Sequence, residues 1–136
     1  MADTLKLEIV TPETTIYSED VEMVTLPGSE GEAGIYPNHV PLMTQVHAGE
    51  IIVSRGGAEE VLAVGEGFIE VTGNHVAILT DIAANSADID EAIAEEARRK
   101  AEARLAEGDI SEEEAKALNQ AILYSAAQIK AKRRRG

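Results

Sequence analysis

The residues that interrupt regular structure are unevenly placed, and this constrains the fold more than any other feature. All four prolines (Pro12, Pro27, Pro37 and Pro41) fall early, and beyond Gly73 the only glycines are Gly108 and Gly136. The chain therefore divides into two parts with different grammar. Up to about residue 84 it consists of short β-prone runs separated by turn residues. Leu5-Lys6-Leu7-Glu8-Ile9 alternates apolar with charged, as a half-buried strand does. Val21–Leu26, Leu42–Val46, Ile51–Arg55, Val61–Val64, Phe68–Thr72 and Val76–Asp81 follow. Gly49-Glu50, Gly56-Gly57 and Gly73-Asn74 punctuate them, the last two as hairpin turns. Many short strands without intervening helices predict an antiparallel sandwich or barrel.

After Asn85 the period becomes helical. Asp88-Ile89-Asp90-Glu91 reads as a capping box, with Asp88 as cap. Ile93, Ala97, Ala101 and Leu105 then share one face, and Gly108 is placed to stop the helix in a left-handed conformation. Ser111-Glu112-Glu113-Glu114 opens a second helix with the stripe Ala115, Leu118, Ile122, Ser125/Ala126 and Ile129. A link of about four residues predicts an antiparallel helical hairpin. The expected units are a β-sandwich over 1–85 and the hairpin over 86–136. An alanine-rich stripe with few large side chains buries little, so the hairpin must lean on the sandwich or on a partner.

Charge and composition exclude several functions. Residues 1–85 carry 14 acids against Lys6 and Arg55, while the rest is nearly balanced. That acidity opposes nucleic-acid binding and docking on anionic lipid. The absence of cysteine removes disulfides and thiolate chemistry. No signal peptide and no span of roughly 18 apolar residues is evident, so a soluble protein is expected.

No motif supports catalysis. The stretch Leu26–Leu42 holds Gly28, Gly31 and Gly34, but Glu30 and Glu32 occupy it and no lysine follows, which disfavours a phosphate loop. Its glycines are read as serving turns. Gly65-Glu66-Gly67 lacks the third glycine and following helix of a dinucleotide fingerprint. His39, His47 and His75 match no compact metal spacing and read as solvent-facing. No catalytic residue, metal or cofactor is expected. The one strongly basic patch is Lys130-Ala131-Lys132-Arg133-Arg134-Arg135. It reads either as a solvated helix end complementing the dipole or as a contact for an acidic partner.

The string Gly-Ser-Glu-Gly-Glu-Ala-Gly-Ile-Tyr-Pro-Asn-His-Val-Pro-Leu within Leu26–Leu42 closely resembles the signature of the epsilon subunit of F-type ATP synthases. Gly65–Val71 and Val76–Asp81 resemble the second signature of that family, and Ile89-Asp90-Glu91-Ala92 with Ala97–Glu102 resembles the start of its hairpin. The resemblance implies a ten-stranded, two-sheet sandwich followed by two antiparallel helices. It implies a non-catalytic rotor-stalk subunit that binds the gamma subunit and sits on the c-ring, at the cytoplasmic face of the membrane, in a proton-driven (or sodium-driven) machine. It places Glu32 and His39, with Glu30 as neighbour, against the c-ring.

The resemblance further implies a hairpin that inhibits hydrolysis by extending into the catalytic head of beta and alpha subunits. The basic end, Lys130, Lys132, Arg133, Arg134 and Arg135, is expected to meet an acidic beta surface there. About 45 helical residues in line would reach roughly 65 Å. Some relatives sense ATP through an Ile/Leu-Asp-x-x-Arg-Ala motif on the folded hairpin. Here Ile93 replaces that arginine, and the second-helix arginines align with Ala121 and Ser125. Asp90 alone remains as a nucleotide candidate, so ATP binding is expected to be weak or absent. An ATP-sensing regulatory module is the alternative reading. The isolated protein is expected to be a monomer.

Overall fold

A computed structural model describes residues 4–28, 31–37 and 39–135, with residues 28, 31–33, 39, 40 and 135 described by backbone alone. Among the described residues ten strands precede the helices. They are β1 (Leu5–Val10), β2 (Thr15–Val21), β3 (Met23–Gly28), β4 (Gly31–Ile35), β5 (His39–Val46), β6 (Gly49–Arg55), β7 (Ala58–Val64), β8 (Gly67–Gly73), β9 (His75–Thr80) and β10 (Ala83–Asn85). A 3-10 turn, Ser86–Asp88, leads into α1 (Glu91–Glu107) and α2 (Glu112–Arg135).

Two five-stranded sheets face each other, in the orders β2-β1-β9-β8-β5 and β10-β7-β6-β3-β4. Inward-pointing Leu5, Leu7, Ile9, Ile51, Leu62 and Ile78 are among the fully buried side chains between them. Most pairs are antiparallel neighbours, but β1 lies parallel to β9, with Lys6 beside His75 and Val10 beside Leu79. The sandwich edge is strapped by Tyr17 of β2, whose hydroxyl donates to Glu60 Oε1 on β7 at 3.0 Å. Arg55 spans the same edge, reaching Glu19 at 2.9 Å and Glu60 at 3.2 Å.

Both anticipated glycine turns form. Gly56 and Gly57 have φ of +60° and +79°, the double left-handed requirement of a type I′ hairpin. Between Leu26 and Leu42 the structure differs from the expected loop. Leu26 pairs with Ala33, Pro27 with Glu32 and Gly28 with Gly31, so β3 and β4 form a hairpin. Gly31 and Gly34 thus lie within a strand, where the absence of a side chain leaves little periodic signal.

The helical hairpin is antiparallel, with its cap shifted from the expected position. Asp90, not Asp88, caps α1: its carboxylate accepts from the backbone N–H groups of Ala92 and Ile93. Asp88 is taken up in the preceding 3-10 turn. Gly108 ends the helix at φ 77°, ψ −142°, a region open to glycine but outside the anticipated left-handed helical well. Ser111 Oγ accepts from the Glu114 N–H at 3.1 Å, as its capping role requires. Arg104 clasps the helix turn by donating to Glu114 and Glu107, which raise its pKa in that order.

The buried face of α1 is also rotated from expectation. Ala94 and Ala101 are buried and Leu105 half-buried, whereas Ile93 is 69 % exposed and Ala97 exposed. Small side chains allow the close approach of α2, and Ile93 falls outside that seam. On α2, Ser125 and Ile129 are buried as expected, Ala126 is exposed, and Ala127 and Ala131 form a second buried face against the sandwich.

Candidate functional site

The two sheets present very different outer surfaces. In β6 and β7 the buried residues are consecutive, Glu50–Val53 and Val61–Val64, because the outer face of their sheet is covered by α2. Val61, Ala63 and Ile89 pack there against Ala127 and Ala131, with Ala84 and Tyr124 at the margin. Burial first, and the charge of Asp81 second, push the Tyr124 phenol up to about 12.

One carboxylate is enclosed in this junction. The side chain of Glu50 on β6 is 5 % exposed. Arg134 grips it in a two-point fork, Nε donating to Oε2 at 3.0 Å and Nη2 to Oε1 at 3.1 Å. Lys130 Nζ stands 3.4 Å from the same Oε1. The two cations are one helical turn apart and so face β6 together. In the sequence Gly49-Glu50 marks only a break between strands. The unbroken apolar runs beside Glu50 carried the signal of a doubly covered sheet.

The other basic-end residues go elsewhere. Arg133 pairs with Glu91 at the start of α1, at 2.6 Å. Lys132 is half-buried, and Arg135 is described by its backbone only. The end of α2 is therefore neither solvated throughout nor gathered into one patch. Asp90 is engaged as a helix cap, and among the described residues lining the groove around Ile93 the cation is Lys100.

The outer face of the first sheet is open. Burial alternates along β8 and β9, leaving Phe68 59 % and Leu79 52 % exposed as cross-strand neighbours. Met43 projects from β5 opposite Glu70, diagonal to Phe68, and Val10 flanks Leu79 on β1. A groove of about 380 Å3, lined by Val10, Pro12, Gly67, Leu79 and Asp81, continues the apolar patch.

The anticipated c-ring residues are only partly described. Glu30 lies outside the described residues. Glu32 sits on β4 opposite Pro27, and His39 on β5 opposite Gly73, both by backbone alone. Their strands end the two sheets, and β3 meets β5 across the sandwich, so both belong to one border of the molecule. His47 is exposed, whereas His75 on β9 is joined to Glu8 at 2.5 Å rather than free in a loop. Among the described residues no cluster of potential ligands could hold a metal ion. None of their helices is long and apolar enough to cross a membrane.

The arrangement of sheets and hairpin can be set beside known proteins. Residues 4–86 match the beta-sandwich domain of the ATP synthase delta/epsilon chain. The chain belongs to that family. The ATP synthase epsilon chain of Laribacter hongkongensis is 41 % identical over 130 residues, covering 94 % of this chain and 92 % of that one. The epsilon chain of Pelotomaculum thermopropionicum is 46 % identical over 103 residues, covering 76 % and 77 %.

Solved structures agree on the fold. A chain in the Euglena gracilis mitochondrial ATP synthase (OSCP/F1/c-ring) superposes with TM-score 0.77 at 23 % identity, covering 94 % of this chain and 81 % of that chain. A chain in the Tetrahymena thermophila mitochondrial ATP synthase central stalk and c-ring gives TM-score 0.60 at 13 % identity, covering 96 % and 97 %. The two-sheet sandwich with two following helices is an epsilon-family fold, and the chain belongs with the epsilon subunits of ATP synthase.

Proposed function

We propose that the chain works in the central rotor stalk, where residues 1–85 transmit torque and residues 86–136 restrain ATP hydrolysis. The observation that carries this reading is the contrast between the two parts. The sandwich has a continuous interior of large aliphatic side chains, whereas the hairpin leans on it through Ala127, Ala131, Tyr124, the adjoining Ile89 and one ionic cluster. Small apolar areas give small burial energies, so the hairpin is the part that can leave at low free-energy cost. Released, its 17-residue and 24-residue helices are long enough to enter a catalytic head.

The open face of the first sheet supports a gamma-subunit contact, since Met43, Phe68 and Leu79 otherwise leave exposed apolar side chains in water. The border holding Glu30, Glu32 and His39 would face the c-ring loops. The basic end from Lys130 to Arg135 would meet an acidic surface of the beta subunits. The chain would then lie at the cytoplasmic side of the membrane, held there by its complex and coupling proton flux to synthesis.

Nucleotide sensing is the less supported role. Ile93 stands where the relatives' arginine would, and Asp90 is committed to its cap. The decisive experiment is ATP hydrolysis by the assembled complex with and without residues 86–136. Loss of the hairpin should raise the rate at low proton-motive force while assembly is preserved; an unchanged rate would refute the restraint.

A further inference from the structure

We infer that Glu50 acts as an internal competitor for the basic end of α2. It mimics, on the sandwich, the acidic partner surface that takes Lys130 and Arg134 when the hairpin leaves. The inference rests on the reading that the hairpin undocks, and adds what holds it and what displaces it.

Three observations carry it. The carboxylate is nearly inaccessible at 5 % exposure, while the Lys130 and Arg134 side chains are 70 % and 40 % exposed. An incoming anion can therefore approach the cations from solvent without first reaching Glu50. A groove of about 380 Å3 opens beside the pair, bordered by Pro27, Gly49 and Leu123. It gives a carboxylate side chain a path to the same guanidinium. Finally, the apolar remainder of the junction consists largely of alanines, so the fork from Arg134 supplies most of its directionality.

The energetics favour exchange over simple rupture. Separating a buried carboxylate from its cations in place leaves an uncompensated charge, which is strongly unfavourable. Lifting α2 away uncovers Glu50 to water, and a partner carboxylate restores the cations' hydrogen bonds. One charge-assisted pair is thus traded for another of the same chemistry, and the equilibrium is set by how many acidic groups the partner presents. Arg133 takes no part, because its partner Glu91 lies on α1 and travels with the hairpin.

The test uses the full chain, whose lack of cysteine permits two introduced labels without background. Nitroxides at Glu59→Cys on β7 and Asn119→Cys on α2, both exposed, report docking as a distance distribution. Glu50→Gln should lower the docked-to-undocked ratio at least about tenfold, the loss expected for one charge-assisted hydrogen bond or more. Arg134→Gln, on the exposed side of the pair, should do the same and serves if Glu50→Gln does not fold. Arg133→Gln should leave the ratio unchanged. Polyglutamate, added at constant ionic strength as an acidic-surface probe, should undock the parent chain, and polylysine should not. A narrow docked distance persisting in both Glu50→Gln and Arg134→Gln, or insensitivity to polyglutamate, would overturn the inference. These measurements need no assembled complex, so their failure leaves the hydrolysis experiment standing. Failure of that experiment leaves the latch itself measured.

Discussion

Replacing Phe68 with alanine should weaken binding to the gamma subunit while leaving the sandwich folded. Phe68 is 59 % exposed on the open sheet, between Gln45 of β5 and Leu79 of β9. A phenylalanine side chain presents about 200 Å2, so about 120 Å2 remains available to a partner. At about 25 cal/mol per Å2, covering all of it would contribute about 3 kcal/mol. Alanine retains the β-carbon and covers part of the same patch, which leaves a net loss of about 2 kcal/mol, or about thirtyfold in Kd. Calorimetric titration of the full chain with purified gamma subunit measures this directly. The area already covered within the fold also matters, so thermal midpoints must be recorded for each variant. Met43→Ser provides a second probe at a side chain 70 % exposed, where folding depends less on the residue. Glu59→Gln, exposed on the other sheet, should leave the affinity alone. Unchanged affinity for both Phe68→Ala and Met43→Ser, with folding intact, would refute the assignment of this face.

Gly67→Ala should destabilise the sandwich by more than about 2 kcal/mol in urea unfolding, as overpacking against backbone does. An added β-carbon would lie 1.9 Å from the Leu79 carbonyl oxygen, whereas at Gly65 the nearest atom belongs to the Asp81 side chain at 2.5 Å, so Gly65→Ala should be milder. Tyr124 and Tyr17 are both raised to about 12, mainly by burial, so the native state favours their neutral phenols. Relative to an unfolded value of about 10, that contribution is complete below pH about 10 and lost as pH rises through about 12. Tyr124→Phe should therefore flatten the alkaline fall in unfolding free energy, and parallel pH profiles would contradict it. Glu32→Ala with His39→Ala should reduce proton pumping per ATP hydrolysed in membrane vesicles, and normal coupling would return this border to a structural role. Calorimetry with ATP should reveal no micromolar binding to the isolated chain; such binding would revive the sensing role.

The sequence made some elements plain and concealed others for identifiable reasons. β1, β8 and β9 were legible because one face of each is wet, and alternation follows from that. β6 and β7 were legible as apolar runs, and the structure explains their lack of alternation by the cover of α2 on the outer face. β2 was missed because only Tyr17 and Val21 in it are buried. β4 was hidden by its glycines, and β10 has three residues with no apolar contrast. On α1, large Ile93 suggested the buried face, but alanine packing determined it. The signature string identified the family from its residues, whereas the Glu50 cluster depends on a contact across 84 positions and could not be read locally.

The parallel pairing of β1 with β9 has a consequence for synthesis of the chain. The second sheet assembles largely from local hairpins, β3 with β4 and β6 with β7. The first strand, by contrast, gains its central neighbour only after β9 has been made, because Lys6 aligns with His75. A nascent chain emerging from the ribosome therefore carries β1 and β2 as a two-stranded ribbon with an unsatisfied edge until more than half of the sequence has been made. Loop closure over that separation makes the joining of β1 to β9 the slow step expected in refolding. The hairpin helices emerge afterwards, onto a sandwich whose last central strand has only just arrived.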